Sequence, residues 1–370
     1  MKLRHIRLVL IFAFCSIAMV QSLYSTHVVG GNLTYRCLGN SRYEVSLDFR
    51  RDCFNGATDA QFDDPAAIGI FDENGFLVEI LGQGGMILIP LSVNDTLNET
   101  VSSECNVIGG DVCTQTTTYR DTIILPFRNG GYYLAYQRCC RNATLNNIVD
   151  PLRTGATYWI RVTEQALQEC NSSPVFREWP ISFVCVDDTL RFDHSAIDVD
   201  GDSLVYELCS PSTGATIQFP KPIPPGSPPY GEVQYNFGFS ANRPLGLTVP
   251  IDINSGTGEL FAVPDKVGQY LIGVCVREFR DGVLLSEVRR DFEYNVRVCG
   301  RAPVVGFETD PPGITMQCDG LEMSFSNSTT SNFLDPDSLS YTWYFDWPDN
   351  TLVSNDPNPT VLFPEPGLYT

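Results

Sequence analysis

The heptapeptide Tyr43-Glu44-Val45-Ser46-Leu47-Asp48-Phe49 alternates apolar and polar side chains without a break. Successive side chains of an extended chain point to opposite faces, so this pattern predicts a strand with one face in a core and the other toward water. Working outward, Ala67-Ile68-Gly69-Ile70-Phe71 reads as a second strand, and Asp72-Glu73-Asn74-Gly75 supplies a hairpin turn with residues 77–81 returning. Residues 122–125, 131–137 and 157–163 continue the pattern, and the one window of helical character is a short turn at 163–169. Turn signals recur at the spacing of sandwich strands, so the fold class is all-β, built as tandem β-sandwich domains.

The N-terminus carries Lys2, Arg4 and Arg7 ahead of an apolar run from 8 to 20. That run is too short to span a bilayer, and small residues follow it, so residues 1–22 are expected to be a signal peptide. Phe14 precedes Cys15 where a lipoprotein signal needs a small residue, which argues against a lipid anchor. With no later membrane segment in the sequence, the chain is expected to be secreted or held at the cell surface, outer-membrane-associated. Thirteen cysteines leave twelve after cleavage, and no Cys-x-x-Cys pair occurs, so disulfides are expected rather than metal sites. Cys105 and Cys113 are plausible loop partners, whereas Cys139 and Cys140 are expected to reach two different strands. A net charge of −20 repels nucleic acid and anionic membrane and favours Ca²⁺ as counterion.

Residues 23–170 read as a cysteine-rich β domain. Asn171-Ser172-Ser173-Pro174 has linker composition and introduces a second β unit, 171–300. Its opening stretch, Ala196-Ile197-Asp198-Val199-Asp200-Gly201-Asp202-Ser203-Leu204-Val205-Tyr206, places three carboxylates at alternate positions before an alternating strand. Asp198, Asp200 and Asp202 can thus converge on one hard cation, and oxygen-rich coordination suits a structural Ca²⁺. The bland alternative is an acidic, solvated loop. Phe219-Pro220-Lys221-Pro222-Ile223-Pro224-Pro225-Gly226-Ser227-Pro228-Pro229 is too proline-dense for a central strand and is read as a stiff surface connection rather than a docking ligand. Residues 301–370 are expected to form a third segment, with its last strand cut short.

That segment resembles a PKD (polycystic kidney disease) domain, an immunoglobulin-like β-sandwich, through Trp343-Tyr344-Phe345-Asp346 and Asn358-Pro359-Thr360-Val361 with Pro366-Gly367-Leu368-Tyr369-Thr370. Trp347-Pro348-Asp349-Asn350 stands where that family usually has Gly-Asp-Gly. The middle unit resembles bacterial cadherin-like modules in Asp198-x-Asp200-Gly201-Asp202-x-Leu204-x-Tyr206, in Asn254-Ser255-Gly256-Thr257-Gly258-Glu259-Leu260 and in Gly268-Gln269-Tyr270. The resemblance implies Asp198, Asp200 and Asp202 as Ca²⁺ ligands, with Asp281 of the Arg280-Asp281-Gly282 turn added. The chain as a whole is similar to the N-terminal part of large surface proteins of Bacteroidetes-type bacteria. His27-Val28-Val29-Gly30-Gly31-Asn32-Leu33-Thr34-Tyr35, Arg50-Arg51-Asp52-Cys53-Phe54 and Ala135-Tyr136-Gln137-Arg138-Cys139-Cys140-Arg141-Asn142 carry that likeness. It implies a type IX secretion sorting domain downstream and a link to gliding motility.

Catalytic signatures are sparse. The sequence holds no Gly-x-Ser-x-Gly elbow, no His-Glu-x-x-His helix and no phosphate-binding glycine loop. After signal cleavage only His27 and His194 could act as a histidine base, and His194 beside Asp193 reads as a strand-edge residue. Paired carboxylates stay open as a route, because 44 acidic residues give that chemistry no distinct signature. The expectation is a non-catalytic surface protein serving adhesion, matrix interaction or a stalk, whose partner is an extracellular glycan, a protein ligand or another surface protein. The alternative is the accessory region of a secreted polysaccharide- or protein-degrading enzyme with its catalytic domain beyond residue 370. Asn-x-Ser/Thr sequons stand at Asn32, Asn94, Asn98, Asn142, Asn171 and Asn327, and are read as chance in a bacterial chain. Asp-Ser/Thr-apolar triplets centred on Thr96, Thr122, Thr189, Ser203 and Ser338 resemble the O-glycosylation motif of such bacteria, with only some expected to be modified.

Overall fold

A computed structural model describes residues 27–54, 61–80, 84–97, 113–299, 305–310, 321–330, 339–345, 349 and 351–365. The expected signal segment, Cys105, Asn98 and Ser338 lie outside them. The chain divides into two compact units, and the described part of the larger runs from residue 27 to 297.

In the larger unit the first strands are β1 (Val28–Gly39), β2 (Arg42–Asp52), β3 (Ala66–Phe71), β4 (Met86–Ile89) and β5 (Asp95–Leu97). They are followed by β6 (Thr114–Ile124), β7 (Tyr132–Arg138), β8 (Ala156–Val162) and the short helix α1 (Glu164–Glu169). Then come β9 (Val175–Phe176), β10 (Phe183–Cys185), β11 (Leu190–Asp193), β12 (Ala196–Ile197) and β13 (Ser203–Leu208). β14 (Ile251–Ile253), β15 (Glu259–Ala262), β16 (Gly268–Arg280) and β17 (Val283–Arg297) complete it.

One sheet has the order β13-β16-β17-β1-β2-β6-β5, with β10 added parallel to β17. A second has the order β4-β3-β7-β8 and faces it. β2 has the alternation its sequence predicts: Tyr43, Val45, Leu47 and Phe49 are buried, while Glu44, Ser46 and Asp48 keep partial exposure. Phe49 reaches across the interior and meets Phe62, Tyr136 and Tyr158 edge-on at ring separations of 5.5–5.9 Å. Aromatic edges on ring faces are the favoured quadrupole arrangement. Gly30 and Gly31 of β1 lie where β17 and β8 close in. A Cβ on Gly31 would stand 2.9 Å from the Tyr158 ring, and one on Gly30 would collide with the Asp291 carbonyl.

The junction expected at 170/171 lies inside this unit. β1 pairs with both β2 and β17, so the two stretches read as separate domains share a sheet and a hydrophobic core. Asn171, Ser172 and Ser173 are buried; Tyr35 N donates to Ser173 Oγ at 3.0 Å and Cys37 N to Ser172 Oγ at 3.2 Å. Their linker-like composition therefore serves as hydroxyl acceptors for β1. A disulfide between Cys37 and Cys170 fastens the same place.

The remaining disulfides correct two expectations. Cys113 pairs with Cys53, and Cys139 pairs with its neighbour Cys140 instead of reaching separate strands. Cys209 pairs with Cys275, and Cys185 and Cys299 are also disulfide-bonded. The return strand expected at 77–81 reduces to a single bridge, Phe71 to Leu77, and β4 takes its place beside β3. The helix does form, with Thr163 Oγ1 accepting from Ala166 N at 3.1 Å as its cap. The proline-rich stretch packs within the larger unit: Cys139 N donates to Pro220 O, Gly226 N to Gln137 Oε1 at 2.8 Å, and Lys221 pairs with buried Asp63. Among the described residues, no helix is long and apolar enough to cross a membrane.

In the smaller unit, β18 (Phe307–Asp310), β19 (Glu322–Asn327) and β22 (Thr360–Leu362) form one antiparallel sheet. β20 (Trp343–Tyr344) and β21 (Val353–Ser354) form another. Phe325, Trp343 and Phe345 pack their rings together, with Phe345 buried.

Candidate functional site

Three places carry chemistry worth weighing: the acidic loop, the buried histidine and the polar outer face of β1-β2-β6.

The acidic loop brings together only part of the expected ligand set. Asp198 and Asp202 approach one another and are joined by Glu278 of β16, their nearest carboxylate oxygens all within 4.8 Å. Asp200 turns away and accepts from Ser172 N at 2.7 Å. Asp281 occupies the exposed tip of the β16–β17 hairpin, where Asp281-Gly282 has the positive φ values of 50° and 80° that a two-residue turn demands.

The remaining oxygens are already engaged. Asp198 Oδ1 accepts from the backbone N–H groups of Asp200, Gly201 and Asp202 at 2.6–3.0 Å. Both oxygens of Asp202 accept from Arg280, at 2.7 Å from Nε and 2.6 Å from Nη2. Asn171 Nδ2 donates to Glu278 Oε1 at 2.8 Å, and Ser286 Oγ donates to Glu278 Oε2. Burial pushes the Glu278 carboxyl up to about 9, so at neutral pH it holds a proton and hydrogen-bonds to Asp202, whose own carboxyl is held low chiefly by Arg280. Of the oxygens of Asp198, Asp202 and Glu278, Asp198 Oδ2 is the one left buried without a partner among the described residues. Ca²⁺ needs six to eight oxygens at about 2.3–2.6 Å, and as arranged these side chains do not fit it.

Glu278 was missed from sequence, yet a signal exists. It continues the row Tyr270, Ile272, Val274 and Val276, which faces the core of β16. An acid at the next inward position is therefore a buried one.

His194 is fully buried among Phe192, Phe292 and Phe176, with ring centroids 4.7, 5.2 and 6.5 Å away. Neither ring nitrogen has a hydrogen-bond partner among the described residues. Burial, and then the neighbouring Arg290 charge, push it down to about 3, so it stays neutral at physiological pH. His27 Nδ1 lies 2.8 Å from Asn142 Oδ1, and Asn142 Nδ2 in turn donates to the fully buried Glu293 at 2.6 Å. Next to it Arg141, fully buried, pairs with Asp291 at 2.5 Å. The stretches 27–35, 50–54 and 135–142, singled out separately in the sequence, thus meet: Val28 N donates to Cys140 O and Asp52 N to His27 O. They form an internal polar clasp.

The outer face of β1-β2-β6 is of a different kind. Strand register sets three rows across it: Asn32-Asp48-Thr118, Thr34-Ser46-Arg120 and Arg36-Glu44-Thr122. Thr118 Oγ1 donates to Asp48 Oδ1 at 2.6 Å, Asn32 Nδ2 to Asp48 Oδ2 at 3.3 Å, and Arg120 Nε to Ser46 Oγ at 3.1 Å. The terminal nitrogens of exposed Arg120 have no protein partner among the described residues. Two shallow depressions of about 460 and 240 Å³ are both lined by Arg120. The exposed side chains of Val93, Val175 and Val199 line them as well.

Of the sequons, Asn32, Asn142 and Asn171 are buried and Asn94 is exposed. Thr96, Thr122, Thr189 and Ser203 are all exposed, in strands or out of them. Comparison with protein-family models, with curated proteins and with solved structures finds no match to this chain.

Proposed function

We propose that this is a non-catalytic, exported surface protein whose larger unit binds an extracellular glycan on the outer face of β1-β2-β6, in the service of adhesion or matrix interaction. The observation that carries the reading is the set of rows centred on Glu44, Ser46 and Asp48. The apolar half of that alternation builds the core, and its polar half lays carboxylates, hydroxyls and a guanidinium on a rigid sheet. Sugars are recognised by such multidentate groups, each able to bond two neighbouring hydroxyls. Mixed charge across the rows, on a chain of net charge −20, favours a neutral sugar over a polyanion. An open depression on a sheet accepts the middle of a long polymer, where a closed pocket takes only its end.

Two further features support the reading. His194, Glu278 and Glu293, whose protonation is strongly displaced, sit in the interior with internal partners or among aromatic rings. Catalytic groups with displaced protonation belong in a cleft that reaches substrate. Disulfides at the described cysteines fit an oxidising, extracellular setting. Affinity electrophoresis of the whole chain through gels holding neutral polysaccharides tests the reading. Retardation by at least one polymer is expected, and its weakening about 10- to 100-fold in Arg120→Ala, the loss of a charge-assisted hydrogen-bonding group. Migration unaffected by every polymer would remove the proposal.

A further inference from the structure

The acidic loop presents a disagreement. Its aspartates have the spacing of a cation-binding loop, yet their oxygens are committed elsewhere, and the group that neutralises them is a side chain of the protein itself. Arg280 uses all three guanidinium nitrogens. Nε and Nη2 grip Asp202, Nη1 pairs with Glu169 at the end of α1 at 2.5 Å, and Nη2 also donates to Asn171 Oδ1 at 2.9 Å. It therefore ties β16, the loop at 198–202 and the end of α1 to one centre, the cross-bracing that a bound ion gives elsewhere. The planar fork of arginine suits two carboxylates at once, and it stays charged at any physiological pH. Asp202 is almost wholly buried as it does so, its side chain 5% exposed.

We infer that Arg280 is the built-in cation of this loop, so that the native chain needs no metal to hold it, and that removing Arg280 leaves a carboxylate cluster that takes up Ca²⁺ in its stead. Without the guanidinium, Asp202 and Glu169 lose their counterion, and Asp198 Oδ2 already lacks a donor. Asp198, Asp202 and Glu169 then offer carboxylate oxygens around the emptied position, beside the protonated Glu278. A ligand that binds only the folded state raises its stability by mass action, so the exchange of one cation for another is visible in melting.

The test uses the whole chain, native and with Arg280→Ala, melted in EDTA, in CaCl₂ and in MgCl₂, with calorimetric titration of CaCl₂ into each. For the native chain the expected results are the same melting temperature in EDTA and CaCl₂ and no binding heat. Arg280→Ala should melt several degrees lower in EDTA, recover part of that loss in CaCl₂ more than in MgCl₂, and lose the recovery when Asp202→Asn is added. A native melting temperature that rises with CaCl₂, or native binding heat, overturns the inference. So does an Arg280→Ala chain indifferent to CaCl₂. Should Arg280→Ala fail to fold in EDTA, the milder Arg280→Lys keeps the question answerable: it should show a smaller Ca²⁺ response of the same sign, and none would count against the inference.

Discussion

Acidification should weaken the larger unit through His194, and replacing that residue with phenylalanine should remove the effect. In the folded chain the ring titrates at about 3, against an ordinary value of 6.5. Between those values the unfolded chain binds a proton that the folded chain refuses. The contribution of His194 to stability is therefore complete above pH 6.5 and is lost progressively as pH falls toward 3. At pH 4.5, two units below the unfolded value, the loss is about 2.7 kcal/mol at 1.36 kcal/mol per unit. Other groups titrate over the same range. Glu278 and Glu293 are both raised, and they hold their protons more tightly in the folded chain as pH falls. The informative quantity is thus the difference between native chain and His194→Phe, in which those contributions cancel. Phenylalanine suits the surroundings, since three phenylalanine rings already enclose the imidazole and neither ring nitrogen is bonded among the described residues. Denaturant unfolding of both chains at pH 7 and 4.5 is the assay. The stability difference should move by about 2–3 kcal/mol in favour of the variant at the lower pH. A difference independent of pH would refute the reasoning, because it would mean the ring charges freely inside the fold.

Other consequences are quicker to check. Arg141→Ala should destabilise the larger unit by about 3–5 kcal/mol, since it strands a buried Asp291 without its counterion, and denaturant unfolding reads it directly. Replacing Cys37 and Cys170 with serine opens a loop of 133 residues, for which chain entropy sets an upper limit of about 5 kcal/mol of lost stability. Non-reducing peptide maps should show Cys53 linked to Cys113, and Cys139 and Cys140 within one peptide that has no partner. Secreted from a eukaryotic host, the folded chain should carry N-glycan at Asn94 and none at Asn142 or Asn171, whose amides donate to Glu293 and Glu278 inside the fold.

Much of the architecture is legible in local pattern. The alternation at 43–49 fixes both the strand and its buried face, and the Asp281-Gly282 turn announces a hairpin. The place of residues 171–174 was not legible. Asn171-Ser172-Ser173-Pro174 has the composition of an exposed linker, and only the pairing of β1 with β17 shows why polar residues belong inside: they satisfy the strand beside them. Sequence distance hides such a contact, because Gly31 and its partner Asp291 are set side by side by tertiary structure alone. The acidic loop was half legible. Spacing revealed that Asp198 and Asp202 gather, but the direction of Asp200 depends on an amide at Ser172, and the counterion comes from the far end of β16. Arg280 beside Asp281-Gly282 reads as part of a turn, and nothing local says that its side chain returns to an aspartate 78 residues earlier.

The central claim, that the polar rows of β1-β2-β6 bind sugar, is tested most directly by chemical-shift mapping of the whole isotopically labelled chain. The probe is a soluble oligosaccharide cut from whichever neutral polysaccharide retards it. Shifts confined to residues 32–36, 44–48 and 116–122, and abolished in Arg120→Ala, are the predicted result. Shifts of equal size elsewhere, with these rows silent, would contradict it.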